Sequence, residues 1–208
     1  MRRTKEEAEV TKQNILAAGL EVFSRKGYTA TRVEDIARQA NVTTGAIYHH
    51  FGGKSDLYLA LVEQGEARAN KLAQQIVQEG GTPATILRRL LVRLFQFLEE
   101  DEEYRAVVEL FMNKTEMVPE LATIGEQSLQ GRRLMAHSFA QLIRQGVEAG
   151  EFRPSVSPED GGLALTGFVN GMGLIWIQDQ AHFSISERAE NLVDLFLAGM
   201  TETSQGSR

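Results

Sequence analysis

The stretch from Thr31 to Phe51, TRVEDIARQANVTTGAIYHHF, predicts two short helices joined by a tight turn. Thr31 is a suitable N-cap for the first helix, and Glu34, three positions later, completes the pattern of a capping box. Asn41 interrupts this helix, because its short amide competes for local backbone hydrogen bonds and tolerates a left-handed backbone. A second helix that follows so closely is typical of the helix-turn-helix, a motif by which proteins bind DNA.

The second helix has start and packing signals of its own. Thr43 is a suitable N-cap, and Val42 and Ile47 hold the two positions of a hydrophobic staple. Ile47 and Phe51 are four residues apart and therefore share one face, which we expect to pack on the first helix.

The opposite face of the second helix presents Thr44, Gly45, Tyr48 and His49. A threonine hydroxyl binds a phosphate or a base edge, and glycine lets the backbone approach a duplex closely. Tyrosine offers a hydroxyl to a phosphate and ring area to a thymine methyl group. This combination favours a helix that lies in a major groove. The alternative is a pair of amphipathic helices in an all-α domain, whose polar residues are simply solvated.

The segment VEDIARQANVTTGAIYHHFGGKSDLY, residues 33–58, resembles the N-terminal signature of the TetR/AcrR family of bacterial transcriptional regulators. The resemblance extends from about Thr11 to Leu61 and is most specific between Ile36 and Leu57. A looser resemblance, to the multidrug-efflux repressor branch, covers VELFMNKTEMVPEL (108–121) and GFVNGMGLIWIQD (167–179). One departure is visible, since family members often have Asn, Asp or Ser where Gly52 and Gly53 stand.

The resemblance implies that Thr43, Thr44, Tyr48, His49 and Lys54 contact DNA, mainly at phosphates. We add the outward-facing Gly45 and the two residues at the start of the first helix. The complete set of predicted DNA contacts is Thr31, Arg32, Thr43, Thr44, Gly45, Tyr48, His49 and Lys54.

Charge is distributed unevenly along the 208 residues, whose net charge is −6. Residues 1–58 contain 9 Lys and Arg against 7 Asp and Glu, a net charge of +2, whereas the remainder has a net charge of −8. The acidic excess therefore lies outside the predicted DNA-binding segment. Arg2, Arg3 and Lys5 form either a basic arm for DNA or a solvated tail.

Composition excludes several other classes of protein. The absence of cysteine excludes disulfides and thiolate metal sites and favours the cytoplasm. No apolar run reaches the roughly 20 residues of a membrane helix, and the charged N-terminal segment is unlike a signal peptide. The four histidines show no metal-site spacing, and no nucleotide-binding or catalytic-triad motif is present. We expect no cofactor and no enzymatic activity.

The pattern of apolar residues and helix breakers predicts an all-α protein of two domains. Residues 1–53 form a three-helix DNA-binding domain, and residues 54–208 form a larger helical effector-binding and dimerisation domain. We expect helices at about 5–26 or 12–26, 31–40, 43–51, 54–78, 83–99, 103–114, 119–149, 158–180 and 185–202.

The helix predicted at 158–180 is unusually rich in glycine. Each glycine in a helix costs up to about 1 kcal/mol relative to alanine, so the cluster needs a physical reason. Close approach of helices in a four-helix interface between two copies is one reason, and packing within one chain is the other. The residues predicted for the dimer interface are Gly167, Phe168, Gly171, Ile175, Leu192, Leu195 and Phe196.

A small-molecule pocket in the second domain is the last prediction, and it depends mainly on the family resemblance. Its predicted lining is Phe95, Tyr104, Glu109, Phe111, Met112, Met135, Phe139 and Trp176, with Asn113 or His137 as further polar contacts. Each apolar member also suits an ordinary helical core.

These features together predict a homodimeric, ligand-responsive DNA-binding regulator. We expect a repressor that a small hydrophobic effector releases from a pseudo-palindromic operator, although an activator fits the same pattern. The alternative from another class is a helical sensor or carrier that acts through a protein partner without DNA.

Overall fold

The structure is a computed structural model that describes residues 5–114 and 119–201. Over these residues the chain forms α-helices and one 3₁₀ turn, with no β-strand, which confirms the all-α prediction. The helices are α1 (Lys5–Ala30), α2 (Val33–Gln39), α3 (Thr44–Phe51), α4 (Lys54–Gln78), α5 (Pro83–Glu100), α6 (Glu102–Lys114), α7 (Ala122–Glu148), α8 (Pro158–Gln178) and α9 (Ile185–Leu197). The 3₁₀ turn, Pro119–Leu121, occupies the predicted first turn of α7.

The chain divides into two compact units. Unit 1 comprises Met1–Arg68 and Glu103–Gly125, and unit 2 comprises Ala69–Glu102 and Glu126–Arg208. The predicted functional boundary between residues 53 and 54 stays a prediction.

Side-chain caps fix the starts of three helices in unit 2. Thr82 accepts a hydrogen bond from the N–H of Thr85 at 3.4 Å. The Ser157 hydroxyl accepts from the Asp160 N–H at 3.3 Å, and the Ser184 hydroxyl accepts from the Glu187 N–H at 3.0 Å. These caps satisfy N–H groups that have no partner within the helix, so α5, α8 and α9 begin where the sequence pattern predicted.

Helix α1 is broken at Gly27, whose φ of 76° and ψ of 172° are not helical. Glycine adopts this positive φ without the steric strain that a side chain causes. The break lies directly after residue 26, where the sequence pattern predicts the end of this helix.

The core of unit 1 contains three aromatic rings in mutual contact. Phe23 and Tyr58 meet edge to face at a centroid distance of 5.2 Å, and Tyr28 and Tyr58 meet in the same way at 5.4 Å. All three side chains are buried. This cluster packs the end of α1 on the start of α4, directly beside the helix-turn-helix sequence.

In unit 2, an arginine connects α5 to α9. Arg88 donates to both carboxylate oxygens of Asp194, at 2.6 and 2.9 Å, and to Glu190 at 3.1 Å. The guanidinium holds the pKa of Asp194 below its usual value. The α7–α8 packing depends on Gly162, where an added Cβ would overlap the Ala136 carbonyl oxygen. This part of the glycine-rich helix is therefore explained by packing within the chain.

Among the described residues, no helix is both long enough and apolar enough to cross a membrane.

Candidate functional site

Helix α3 is held in unit 1 by its cap and by two buried side chains. The Thr43 hydroxyl accepts a hydrogen bond from the Ala46 N–H at 3.2 Å, which confirms the predicted N-cap. Ile47 is 0% exposed and Phe51 is 8% exposed. Asn41, in the preceding turn, has a φ of 54°, the left-handed conformation that the sequence predicted. The cap, the preceding turn and the packed face of α3 are thus the predicted ones.

The opposite face of α3 is open to solvent. Tyr48 is 55% exposed, Gly45 and His49 are exposed, and Thr44 is half-buried. A Cβ placed on Gly45 would meet one described atom within 4 Å, the Thr43 hydroxyl oxygen at 3.8 Å. Packing within the chain therefore does not require glycine here, and the helix backbone remains accessible to a large molecule.

The start of α2 differs from the prediction by one residue. Arg32, not Thr31, is the N-cap, and its N–H donates to the carboxylate of Asp35 at 3.3 Å, not to Glu34. Thr31 is 1% exposed and donates its hydroxyl to the Gly27 carbonyl oxygen at 2.6 Å. The break at Gly27 frees this carbonyl from the α1 helix, and Thr31 satisfies it. A direct DNA contact by the Thr31 side chain is therefore wrong, and its role is to support the turn.

Asp35 is the centre of the charged contacts at the start of α2. Lys26 lies 2.8 Å from the Asp35 carboxylate, which also accepts from the Arg32 backbone. These contacts, with Lys26 the strongest, lower the pKa of Asp35. The Arg32 side chain is exposed, as a residue that contacts a phosphate must be.

Lys54 begins α4 and is half-buried. Its Nζ donates to the Tyr28 carbonyl oxygen at 3.1 Å and lies 4.1 Å from the centroid of the Tyr28 ring. An ammonium has three donors, so this geometry also permits a bond to a phosphate. Gly52, just before α4, is the C-cap of α3 with a φ of 77°, and its N–H donates to the backbone carbonyl oxygen of Tyr48 at 3.0 Å. The predicted arm residues Arg2 and Arg3 lie outside the described residues, and Lys5 begins α1.

Comparison with known families decides what this arrangement is. Residues 15–61 match the model of bacterial regulatory proteins of the tetR family. Residues 82–202 match the model of the C-terminal region of MAATS-type transcriptional repressors. The chain belongs to the TetR family. The predicted family, fold and class of function, a ligand-responsive DNA-binding regulator of transcription, are thereby confirmed. Nothing supports the alternative of a carrier that acts without DNA.

Similar proteins within the TetR family match nearly the whole chain. The HTH-type transcriptional regulator AcrR of Shigella flexneri is 29% identical over 94% of this chain and 92% of its own length. TtgR of Pseudomonas putida is 31% identical over 85% of each chain. The crystal structure of NalD, the secondary repressor of the MexAB-OprM multidrug efflux pump in Pseudomonas aeruginosa, superposes with a TM-score of 0.85. It is 27% identical, and the match covers 95% of this chain and 99% of NalD.

The residues predicted for the dimer interface of this TetR-family chain all belong to α8 and α9 of unit 2. Ile175 is 54% exposed, Leu195 is 78% exposed, and Gly167 is exposed. Gly171 and Leu192 are half-buried. A Cβ on Gly167 or Gly171 meets no described atom within 4 Å, so packing within the chain does not explain these two glycines.

Two other members of the predicted interface pack within the chain. The ring of Phe168 lies 4.8 Å from that of Phe196 and 5.5 Å from that of Phe95. Both Phe168 and Phe196 are half-buried. The prediction did not include Leu163 and Leu174 of α8, whose side chains are 67% and 36% exposed. They lie four residues before Gly167 and three after Gly171, a spacing that places them near these glycines on the helix surface.

The predicted effector-pocket residues divide between the two units. Tyr104, Glu109, Phe111 and Met112 belong to unit 1, where all four are half-buried. In unit 2, Phe95, Phe139 and Trp176 are almost fully buried, and Met135 is half-buried.

The surroundings of Tyr104 and Trp176, two of the residues predicted for the pocket, are described by their contacts. Burial, and secondarily Glu66, raise the pKa of Tyr104 to about 12. The Trp176 indole donates to the Phe183 carbonyl oxygen at 3.0 Å. His137 is exposed, and the side chain of Asn113 lies outside the part of the chain that the structure describes.

Proposed function

We propose that this regulator binds a pseudo-palindromic operator as a homodimer, represses transcription there, and dissociates when a small hydrophobic effector binds. The observation that supports this most strongly is the exposed face of α3, where Tyr48 and Gly45 are open to solvent while Ile47 and Phe51 anchor the helix. A firmly packed helix with an unused polar and aromatic face suits a major groove. We propose Arg32, Thr43, Thr44, Gly45, Tyr48, His49 and Lys54 as the DNA contacts.

A homodimer is the second part of the proposal. One short recognition helix gives limited affinity, whereas two on inverted half-sites add their contacts. Helices α8 and α9 offer the surface for a second copy, since Leu163, Ile175 and Leu195 are exposed beside Gly167 and Gly171. Glycines without a neighbour allow the helices of a partner to approach closely, and the exposed leucines would be buried in the contact.

The effector is proposed to be small and largely apolar, because the residues proposed for its pocket are mostly aromatic or methionine. Methionine adapts to ligands of different shape, which suits a regulator of broad response. Release from the operator follows from linkage. An effector that favours a conformation with lower operator affinity weakens DNA binding by the same factor by which DNA weakens effector binding.

Relatives suggest which genes are controlled. NalD is named as a repressor of a multidrug efflux pump. A further relative from Escherichia coli, 26% identical over 93% of this chain, is named as a probable repressor of the acrEF/envCD operon. We propose that this protein likewise represses an efflux operon on the bacterial chromosome, and therefore acts in the cytoplasm. Deletion of the gene for this repressor should raise transcription of the operon, whereas deletion of the gene for an activator would lower it.

The test is fluorescence anisotropy with a labelled duplex from upstream of the protein's own gene. We expect saturable binding of two chains per site, which a panel of apolar aromatic compounds relieves in part. Tyr48→Ala should weaken binding about tenfold or more on every duplex that binds. Leu134→Ala, a substitution of an exposed residue outside α3 and outside the predicted sites, is the control that should retain operator affinity. Binding equal to that of a scrambled duplex, or unaltered by Tyr48→Ala, would contradict the proposal.

A further inference from the structure

Two glycines bring α1 and α6 close to the same stretch of α4 in unit 1. A Cβ on Gly19 of α1 would lie 3.1 Å from Leu57 Cδ2, and a Cβ on Gly65 of α4 would lie 2.8 Å from Val107 Cγ1 of α6. Side chains at either glycine would push the helices apart. The two points of close contact on α4, Leu57 and Gly65, are eight residues apart.

Residues of α1, α4 and α6 line a groove of about 940 Å³. We call it the α1–α6 groove. Its apolar part is formed by Leu16 and Leu20 of α1, Leu61 of α4 and Val107 of α6. Every residue that lines it belongs to unit 1. Its volume is at the upper end of the roughly 300–1,000 Å³ that is typical of small-molecule sites.

The polar rim of the α1–α6 groove is electrically balanced. Arg68 of α4 forms an ion pair with Glu103 of α6. On α1, Arg25 lies 3.5 Å from Glu21, which also accepts a hydrogen bond from Gln39 at 2.6 Å. These charges satisfy one another, so the rim does not present a net charge to a ligand.

Two amides of the rim are available for hydrogen bonding. Asn14 of α1 and Gln64 of α4 line the groove, and their side chains make no hydrogen bond to the described residues. Each amide offers both donors and an acceptor. The groove therefore combines an apolar base, balanced charges and neutral polar groups, which is the chemistry that an uncharged amphipathic molecule requires.

We propose that the α1–α6 groove is a second small-molecule site of this protein, and that it binds neutral amphipathic compounds. None of the eight residues predicted for the effector pocket lines it. The site is formed by the helix that precedes the helix-turn-helix and the helix that begins with Lys54. Its lining shares no residue with the predicted effector pocket, and its existence does not depend on the operator or on the effector proposed above.

The test uses the full-length protein with carbon-13-labelled alanine methyl groups and coumarin, a neutral planar molecule with a carbonyl acceptor. Ala17 and Ala106 line the groove on its two opposite helices, so their methyl signals report on it directly. We expect both signals to shift saturably with a single dissociation constant. The shifts report on the groove without any substitution, and the Ala17→Trp variant separates binding in the groove from a change relayed from another site.

A substitution then tests the location. Ala17→Trp places an indole in the groove and should weaken the affinity read from the Ala106 methyl group about tenfold or more. Ala67→Trp, at an exposed helical alanine of the same unit that does not line the groove, should leave that affinity within about twofold. Methyl signals of Ala17 and Ala106 that stay unmoved up to the solubility limit of coumarin would overturn the proposal. Equal affinity in the wild type and Ala17→Trp would also overturn it.

Operator binding measured on the same samples separates the two proposals. Intact operator binding with unmoved methyl signals removes the groove site alone. Shifted methyl signals without operator binding support the groove and contradict the proposed function.

Discussion

The ammonium of Lys54 donates to the backbone carbonyl oxygen of Tyr28 at 3.1 Å and lies 4.1 Å from the centroid of the same residue's ring. Tyr28 is 1% exposed, and its hydroxyl donates to Glu120 at 3.3 Å. The lysine at the start of α4 is therefore held in place by the residue that follows the break in α1. A fixed cation loses less conformational entropy when it binds a phosphate than a freely moving lysine does.

The first prediction concerns Lys54→Ala. Loss of a phosphate contact should weaken binding to all DNA sequences similarly and reduce the slope of log affinity against log salt by about 1 per chain. Titrations at several salt concentrations measure both effects. Lys71→Ala, which removes the same charge from an exposed lysine of unit 2, is the matched control. Equal slopes for the two variants would remove Lys54 from the set of contacts.

The second prediction separates the ring of Tyr28 from its hydroxyl. Tyr28→Phe keeps the ring face and the backbone carbonyl that hold Lys54, and it removes the hydrogen bond to Glu120. We expect operator affinity to stay unchanged while the free energy of unfolding falls by about 1 kcal/mol. Urea denaturation and anisotropy on one preparation provide both values. A large loss of operator affinity without a loss of stability would show that the hydroxyl acts on DNA binding directly.

The third prediction concerns alkaline pH. Burial, with Glu120 and Glu66 as secondary causes, raises the pKa of Tyr28 and of Tyr104 to about 12. An unfolded tyrosine titrates near 10, so between about pH 10 and 12 the folded chain retains protons that the unfolded chain releases. Because of these two tyrosines, the free energy of unfolding should fall as the pH rises across that interval. Below about pH 10 their titration should have no effect on it.

The measurement for this pH effect is thermal unfolding at a series of alkaline pH values. The double variant Tyr28→Phe and Tyr104→Phe should lose stability less steeply than the wild type across the same interval. Identical slopes in the wild type and the double variant would contradict the assignment.

The fourth prediction tests the α8–α9 surface. Leu195→Glu puts a charge in the centre of the proposed dimer contact and should shift the protein to monomers in sedimentation experiments, because an unpaired charge is costly to bury. Leu134→Glu makes the same change at an exposed leucine of α7, which is 60% exposed, and should leave the dimer intact. Dissociation by both substitutions, or by neither, would place the interface elsewhere.

The fifth prediction compares two glycines of α8. In the Leu195→Glu background, Gly162→Ala should destabilise the chain by about 1–3 kcal/mol, because the methyl group overlaps the Ala136 carbonyl oxygen and lies 2.9 Å from the Ala140 nitrogen. Gly167→Ala should stabilise it by about 0.5–1 kcal/mol, since its methyl group meets no described atom and alanine favours a helix. Urea denaturation of the two variants decides between these signs.

The helix-turn-helix was predictable because local chemistry fixes it. A threonine cap, an asparagine with a positive φ and two apolar residues four positions apart determine the turn and the orientation of α3. The start of α2 was not predictable in the same way. Thr31 fits the capping-box pattern, but its hydroxyl binds the carbonyl that the break at Gly27 leaves free, and Asp35 takes the reciprocal role at Arg32. This competition depends on a neighbouring turn, which a four-residue pattern does not contain.

The role of each glycine in α8 could not be predicted from the sequence. Gly162 faces α7 and Gly167 faces open space, although both stand in the same glycine-rich helix. Phe168 and Phe196 were predicted for the dimer contact, yet their rings lie against each other within unit 2. Which face of a helix is used by its own chain depends on the placement of its neighbours, and an apolar face has the same sequence signature in both cases.

Methylation interference tests whether two copies of α3 bind in the major groove of the operator, because guanine N7 lies in that groove. A labelled duplex from upstream of the gene is lightly methylated with dimethyl sulfate, and bound and free fractions are compared. We expect interference at two inverted patches whose centres are about one helical turn, or a multiple of it, apart. Operator binding that tolerates methylation at every guanine, or interference confined to a single patch, would contradict this expectation.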